Sequence, residues 1–349
     1  MSSSIVQRKT YTTLDLMKFV MALAIMFAHI CSENVTVHPI LKLLTSVYNF
    51  GVPFFFACSG YLFFLKLKNT DVKDYTSVYK KFTKRILLMY LVWSCIYFCF
   101  VLTNWIQDGA SVEDVLRYFH KAIVFTTYGT IWFLPSLWIG VSITFFLLYR
   151  NIKVAKIVLI AVVFYIIGSF GFSYLPLSEG TFAGKIYQVY NDIFVTSRNG
   201  IFAGFPFVAI GALLAFKGVK KKSTFNLVMT LLFGSLFILE AVFIKNKMNT
   251  NVDMGFFLVP SIYFLMSWLI QFNLPTNPIY IRLRNLSMLI FLGQRLFITA
   301  IPSVLPISYM DVITKNNYVG LFIFVGVTIT FALLIEQFSK KYKWLNVLW

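Results

Sequence analysis

Charge is scarce in this chain. Asp, Glu, Lys and Arg make up 13% of its 349 residues, and only 13 positions are acidic. A water-soluble domain carries about 25% charged residues, so this chain has too little polar surface to stand in water. Histidine occurs only at His29, His38 and His120. The cysteines are Cys31, Cys58, Cys95 and Cys99, with no CxxC pair and no Cys/His spacing fit for zinc. No metal site is expected, and the cysteines read as small hydrophobes. The GxSxG elbow, the HExxH pair, the phosphate-cradling P-loop and the Rossmann fingerprint are all missing, which sets aside the soluble-enzyme templates. There is no internal repeat, no low-complexity tract and no connection long enough for a soluble domain. The longest connections, 104–130 and 175–199, read as external loops.

What is there is apolar. Hydrophobic residues reach 59%, with 39 Phe, 19 Tyr and 7 Trp, and the mean hydropathy is +0.77. That composition belongs to polytopic membrane proteins. The net charge of +18 does not point to nucleic acid. Its basic residues fall in short connections between apolar runs, where they set orientation and meet anionic lipid headgroups. Arg8 and Lys9 before the first run give it the look of a signal peptide. It has no small-x-small cleavage site and is long enough to span, so it reads as a retained first helix.

Apolar runs of spanning length lie at about 13–31, 47–66, 85–106, 131–150, 155–174, 200–217, 224–244, 254–272, 285–302 and 317–337. With the N-terminus inside, 21 Lys and Arg fall in cytoplasmic segments and eight in outer ones. The bias alternates at every connection. The expected fold is therefore all-α: one domain over residues 1–349, with ten transmembrane helices and both termini cytoplasmic. Gly51-Val52-Pro53 reads as a break near the outer end of the second span.

Ionisable groups inside such helices are costly and face a cavity or a partner. His29 stands near the outer end of the first span, eleven residues after Lys18. Eleven residues are close to three turns, so the two share a face about 16 Å apart. His29 reads either as a functional group or as a histidine satisfied by a neighbouring helix. Lys18 reads either as a site residue or as a partner of Asp15, three residues away. Glu240 and Arg295 read as a structural ion pair or as part of a site. Ser59, in Cys58-Ser59-Gly60-Tyr61, reads as cavity lining or as part of a close helix contact.

Several motifs, in order over nearly the whole chain, resemble the bacterial acyltransferase 3 family of integral-membrane proteins. Leu14-Asp15-Leu16-Met17-Lys18, with His29 eleven residues beyond Lys18, matches the family's first helix, which carries arginine where Lys18 stands. Val52-Pro53-Phe54-Phe55-Phe56 followed by Ser59-Gly60-Tyr61, then Arg85-Ile86 and Trp132-Phe133-Leu134, match the next helices. Gln294-Arg295 departs from the His-Pro found in many relatives. A narrower likeness, carried by Ser197-Arg198-Asn199-Gly200-Ile201-Phe202 and Trp132-Phe133-Leu134-Pro135, is to the membrane half of vancomycin-resistance serine racemases. The chain ends after the tenth span, so no soluble racemase domain is expected.

The resemblance implies an O-acyltransferase of the bacterial cytoplasmic membrane. It moves an acyl group, acetyl above all, from cytoplasmic acyl-CoA to a hydroxyl of an extracytoplasmic cell-envelope glycan or small metabolite. Acetyl-CoA is a co-substrate, and no tightly bound cofactor is implied. His29 is the expected general base. Lys18 and Arg85 are expected at the donor's phosphates, about three turns from His29, a span comparable to a pantetheine arm. Ser59 lines the channel, and Arg198, Glu240 and Trp132 stand on the acceptor side. A transporter of a serine-like amino acid on the same fold, and a catalytically silent scaffold, are the rival readings.

Overall fold

The computed structural model describes residues 11–33, 46–272, 274–304 and 317–349. Arg8, Lys9, His38, Lys42 and Lys315 lie outside the described residues. Among those described, the regular structure is helical. The principal helices are α1 (Thr12–Glu33), α2 (Gly51–Lys68), α3 (Tyr75–Asp108), α4 (Val112–Val124), α5 (Phe133–Tyr149) and α6 (Val154–Phe170). They continue as α7 (Phe182–Phe194), α8 (Phe205–Lys217), α9 (Ser223–Met248), α10 (Leu258–Gln271), α11 (Pro278–Arg295) and α12 (Asn317–Phe338). Among the described residues, seven helical segments are long and apolar enough to cross a membrane. Three shorter apolar helices, Val154–Phe170, Leu258–Gln271 and Phe322–Phe338, account for the other apolar runs in the sequence.

Local chemistry sets the boundaries. Gly109, at φ 70°, ends α3 in a left-handed turn that suits glycine. Ser111 opens α4 with a reciprocal capping box to Asp114. Asn277 caps α11, with Pro278 at the first helical position. Three sequence expectations change here. Pro53 does not interrupt a helix, because α2 begins at Gly51 and Pro53 lies in its first turn, where its missing N–H is not needed. The connections 104–130 and 175–199 are not plain loops, since they contain α4 and α7. Cys95 and Cys99 are exposed on α3, Cys58 packs in the core, and the side chain of Cys31 lies outside what is described.

Two helix pairs form the frame. Lines of contact run from Gly60 to Val208 and from Lys68 to the carbonyls of Ala215 and Phe216, so α2 and α8 run parallel. A Cβ at Gly60 would lie 2.7 Å from Val208 O, so glycine is what lets these backbones approach. The α1–α11 pair is also parallel. Asp15 lies 3.9 Å from Arg284 at one end, and His29 meets Gln294 at the other. Between the pairs, Phe55 stacks on Phe291 at 5.2 Å, and Phe133 meets Phe56 and Phe291 at 4.8 and 5.3 Å. This aromatic layer is fully buried and forms the floor beneath the site. Outward-facing apolar residues such as Leu91, Leu159 and Leu239 remain exposed, as expected of a surface solvated by lipid.

Candidate active site

Above the aromatic floor lies a cavity of about 160 Å³. Its polar wall is made by His29, Tyr48, Asn49, Arg198, Asp253 and Arg295, and its apolar wall includes Trp132 and Phe56. The residues come from separate parts of the chain. His29 is in the penultimate turn of α1. Tyr48 and Asn49 lie in the 3₁₀ turn Ser46–Phe50 before α2, and Trp132 ends the turn Gly129–Trp132 before α5. Arg198 precedes a π-helical turn, Gly200–Gly204, and Arg295 precedes another, Leu296–Ala300. Such turns widen a helix locally and recur at functional sites.

Gln294 orients the histidine. It is fully buried, and its Nε2 donates to Phe291 O at 2.9 Å. That bond turns Oε1 toward His29 Nδ1, 3.0 Å away. An amide oxygen only accepts, so Nδ1 carries the proton and Nε2 carries the lone pair.

A second chain of contacts crosses the cavity. The His29 and Tyr48 rings are 6.5 Å apart, and Tyr48 Oη donates to Asp253 Oδ1 at 3.3 Å. Asp253 Oδ2 forms an ion pair with Arg198 Nη1. The Arg198 guanidinium lies 4.9 Å from the Trp132 ring centroid and 5.3 Å from that of Phe172, within cation–π range of both. Asn199, next in sequence, accepts from Ile201 N and Phe202 N and so starts the π turn.

Of the site residues expected from sequence, His29, Arg198 and Trp132 line this cavity. Glu240 does not. Its carboxylate accepts from Tyr174 Oη and from the N–H groups of Phe256 and Phe257, the latter at 2.6 and 3.0 Å. It therefore caps the start of α10 and anchors the segment that carries Asp253, and it is not the partner of Arg295. Ser59 is half-buried on α2 beside the α2–α8 contact and does not line the cavity. Lys18 is buried near Asp15 and Cys58. Arg85 donates to Trp349 O at 2.9 Å and stands close to Arg284, which in turn reaches Asp15. Lys18, Arg284 and Arg85 thus belong to the basic end of the molecule, away from His29 along α1 and α11. Sequence reasoning missed Asp253, Tyr48 and the orienting role of Gln294. It also missed Glu336 on α12, which pairs with Arg282 at 3.2 Å.

The family model described as an acyltransferase domain, Acyl_transf_3, matches residues 11–337. Two curated proteins of Enterococcus faecalis, each called an amino-acid racemase, are similar to this chain. One is 26% identical over 308 residues, covering 85% of this chain and 42% of its own length. The other is 28% identical over 281 residues, covering 76% of this chain and 37% of its own length. The chain therefore spans about two fifths of the length of these relatives. No solved structure matches.

Proposed function

The chain belongs to the Acyl_transf_3 family of acyltransferases, and from that premise we propose that it is a multi-pass O-acyltransferase of the bacterial cytoplasmic membrane. Acyl-CoA enters from the basic end, and the acceptor hydroxyl enters the cavity at the other. This reading carries ten spans with both termini cytoplasmic, supported by the alternating Lys/Arg bias. The single observation behind it is the His29–Gln294 pair at the cavity wall.

In this reading His29 Nε2 takes the proton of the acceptor hydroxyl as its oxygen attacks the thioester carbonyl. The tetrahedral intermediate then expels the CoA sulfur, which takes the proton back from the imidazolium. The products are an acyl ester and free CoA thiol. Gln294 holds the tautomer that this requires. Arg198 and Trp132 orient the acceptor, and Lys18 and Arg85 hold donor phosphates.

Similarity to proteins called amino-acid racemases favours a second reading, in which the same cavity passes a small amino acid across the membrane. Titrating CoA into purified, folded protein separates the two. Acyl transfer requires specific CoA binding, weakened about tenfold or more by Lys18→Ala or Arg85→Ala. Lys18→Arg should retain or strengthen it, because a planar fork suits phosphate. No binding at millimolar CoA would overturn the acyl-transfer reading in favour of passage.

A further inference from the structure

The helices α4 and α7 share an unusual pattern. In α4 the residues Val112, Leu116, Phe119 and Ile123 are 77, 64, 48 and 85% exposed. In α7 the residues Phe182, Ile186, Val189 and Ile193 are 79, 53, 59 and 49% exposed. Both sets follow the spacing i, i+4, i+7, i+11, which gathers each into one narrow stripe. Among the described residues, both stripes remain largely uncovered, Phe119 alone of the eight touching an α3 ring, that of Phe98 at 6.3 Å. Both helices have 13 residues, about 20 Å, too short to cross a 30 Å apolar slab.

The contacts of α4 show where its stripe points. It does not stand away from the bundle. Tyr118 packs on Trp105 at 5.3 Å and on Phe98 at 5.7 Å. Farther along, Ala122 O accepts from Tyr90 Oη at 3.0 Å, and Thr127 meets Ser94 at 2.8 Å. As α4 advances from 118 to 122, its partners on α3 retreat from 105 to 90, and Thr127 just beyond its end meets Ser94. The helix therefore runs antiparallel to α3 and descends beside its apolar stretch. Leu102 and Ile106 of that stretch are themselves 44 and 76% exposed, so the α4 stripe continues an apolar belt already present on α3. The irregular segment after α4 carries Thr126, Thr130 and Ile131, all buried, and backbone of that kind is tolerated at membrane depth only when protein covers it. The α7 stripe joins the belt at a second point. Tyr187 Oη donates to Ile167 O at 2.8 Å, next to the exposed Ile166 and Ile167.

We infer that α4 and α7 are embedded in the lipid of the leaflet that surrounds the cavity, with α4 re-entering the bilayer and both apolar stripes packed against acyl chains. The ligand of these surfaces is the bilayer's own lipid. The Glu113–Arg117 ion pair of α4 stands roughly 90–130° around the helix from the stripe and borders it, as the polar edge of an interfacial helix does. The inference rests on the multi-pass reading and not on acyl transfer.

Site-directed spin labelling tests it. Single cysteines at Val112, Leu116, Phe119, Ile123, Ile186 and Ile193 are labelled in protein whose native cysteines are replaced, then reconstituted into phosphatidylcholine and phosphatidylglycerol vesicles. Accessibility is read with oxygen, which partitions into lipid, and with a water-soluble nickel chelate. The stripe labels should meet oxygen and exclude nickel, and depth should increase from Val112 to Ile123. Labels at Glu113 and Asp192 should show the reverse preference. Nickel access along either stripe would place that stripe in water and overturn the inference. Exclusion of both reagents would mean a protein partner covers the stripe, which also overturns it. All labelled positions are exposed, and a monodisperse elution profile shows that each variant is folded. Loss of CoA binding in the unlabelled protein would sink the acyl-transfer reading without touching this one.

Discussion

Replacing Gln294 by leucine keeps a buried side chain of similar size and deletes the acceptor for His29 Nδ1. In the resting enzyme that bond joins two neutral groups and contributes about 0.5–1.5 kcal/mol. In the proposed reaction His29 takes a proton from the acceptor, and the same bond then serves an imidazolium and contributes about 1.5–3 kcal/mol. The gain, about 1–2 kcal/mol, exists only once the ring is charged, so it lowers the barrier instead of tightening the ground state. Its loss should slow turnover about 5- to 30-fold, at about 1.36 kcal/mol per decade. Affinity for acyl-CoA should stay unchanged, because Lys18 and Arg85, the residues proposed to hold its phosphates, stand at the other end of the bundle from Gln294. Gln294→Glu should act differently. A carboxylate holds an imidazolium more firmly, so the acid limb of the pH–rate profile should move to higher pH. That shift is read against the other charged groups facing His29, namely Arg295, Asp253 and Arg198. The assay is steady-state transfer by purified protein across a pH series, with nitrogen NMR of the His29 ring to report its tautomer. Turnover of folded Gln294→Leu within twofold of wild type would refute the orienting role, as would a proton found on Nε2 instead of Nδ1.

Three further outcomes follow from the geometry. Arg198→Lys keeps the charge but loses the guanidinium that contacts the Trp132 and Phe172 rings, contacts worth about 0.5–2 kcal/mol each. It should raise the KM for the acceptor several-fold while leaving CoA binding intact, as measured by varying each substrate in turn. Gly60→Ala forces a methyl group against Val208 O on α8, where 2.7 Å is available. The overpacking should cost about 1–3 kcal/mol and lower the melting temperature in detergent. Tyr174→Phe removes the hydroxyl that donates to the Glu240 carboxylate, a hydrogen bond to a charged group worth about 1.5–3 kcal/mol, and should lower the melting temperature in detergent.

The spanning helices were legible because each is a long apolar run between basic connections, a signal that depends on composition alone. His29 was legible because an isolated ionisable group in such a run is costly. Its partner was not. Gln294 is 265 positions away, and no periodicity links two residues on different helices. Gln294 registered only as part of a departure from a motif, whereas in the structure it holds the histidine. Asp253 sits between α9 and α10 in a segment with no helical pattern, and its place depends on Glu240 gathering the N–H groups of Phe256 and Phe257. Glu240 itself looked like a site residue for a sound reason, since a carboxylate in an apolar helix needs partners. Those partners turned out to be backbone. The stripes of α4 and α7 were present in the sequence at i, i+4, i+7 and i+11, but each helix is too short, and too polar on its other face, to register as a span.

The parallel pairing of α1 with α11 makes the bundle a ruler. Lys18 and His29 are graduations on one rod, and Arg284 and Gln294 are the matching marks on another. The rods are fastened at both ends, so neither slides against the other without parting Asp15 from Arg284 or His29 from Gln294. Substitutions along α1 change what a graduation reads but leave the scale alone. A single inserted residue between Lys18 and His29 would advance the upper mark by about 1.5 Å and turn it through about 100°, away from Gln294 and out of the cavity. The length separating the two ends is thus written into residue count, and a sequence can drift widely here in composition while its spacing cannot.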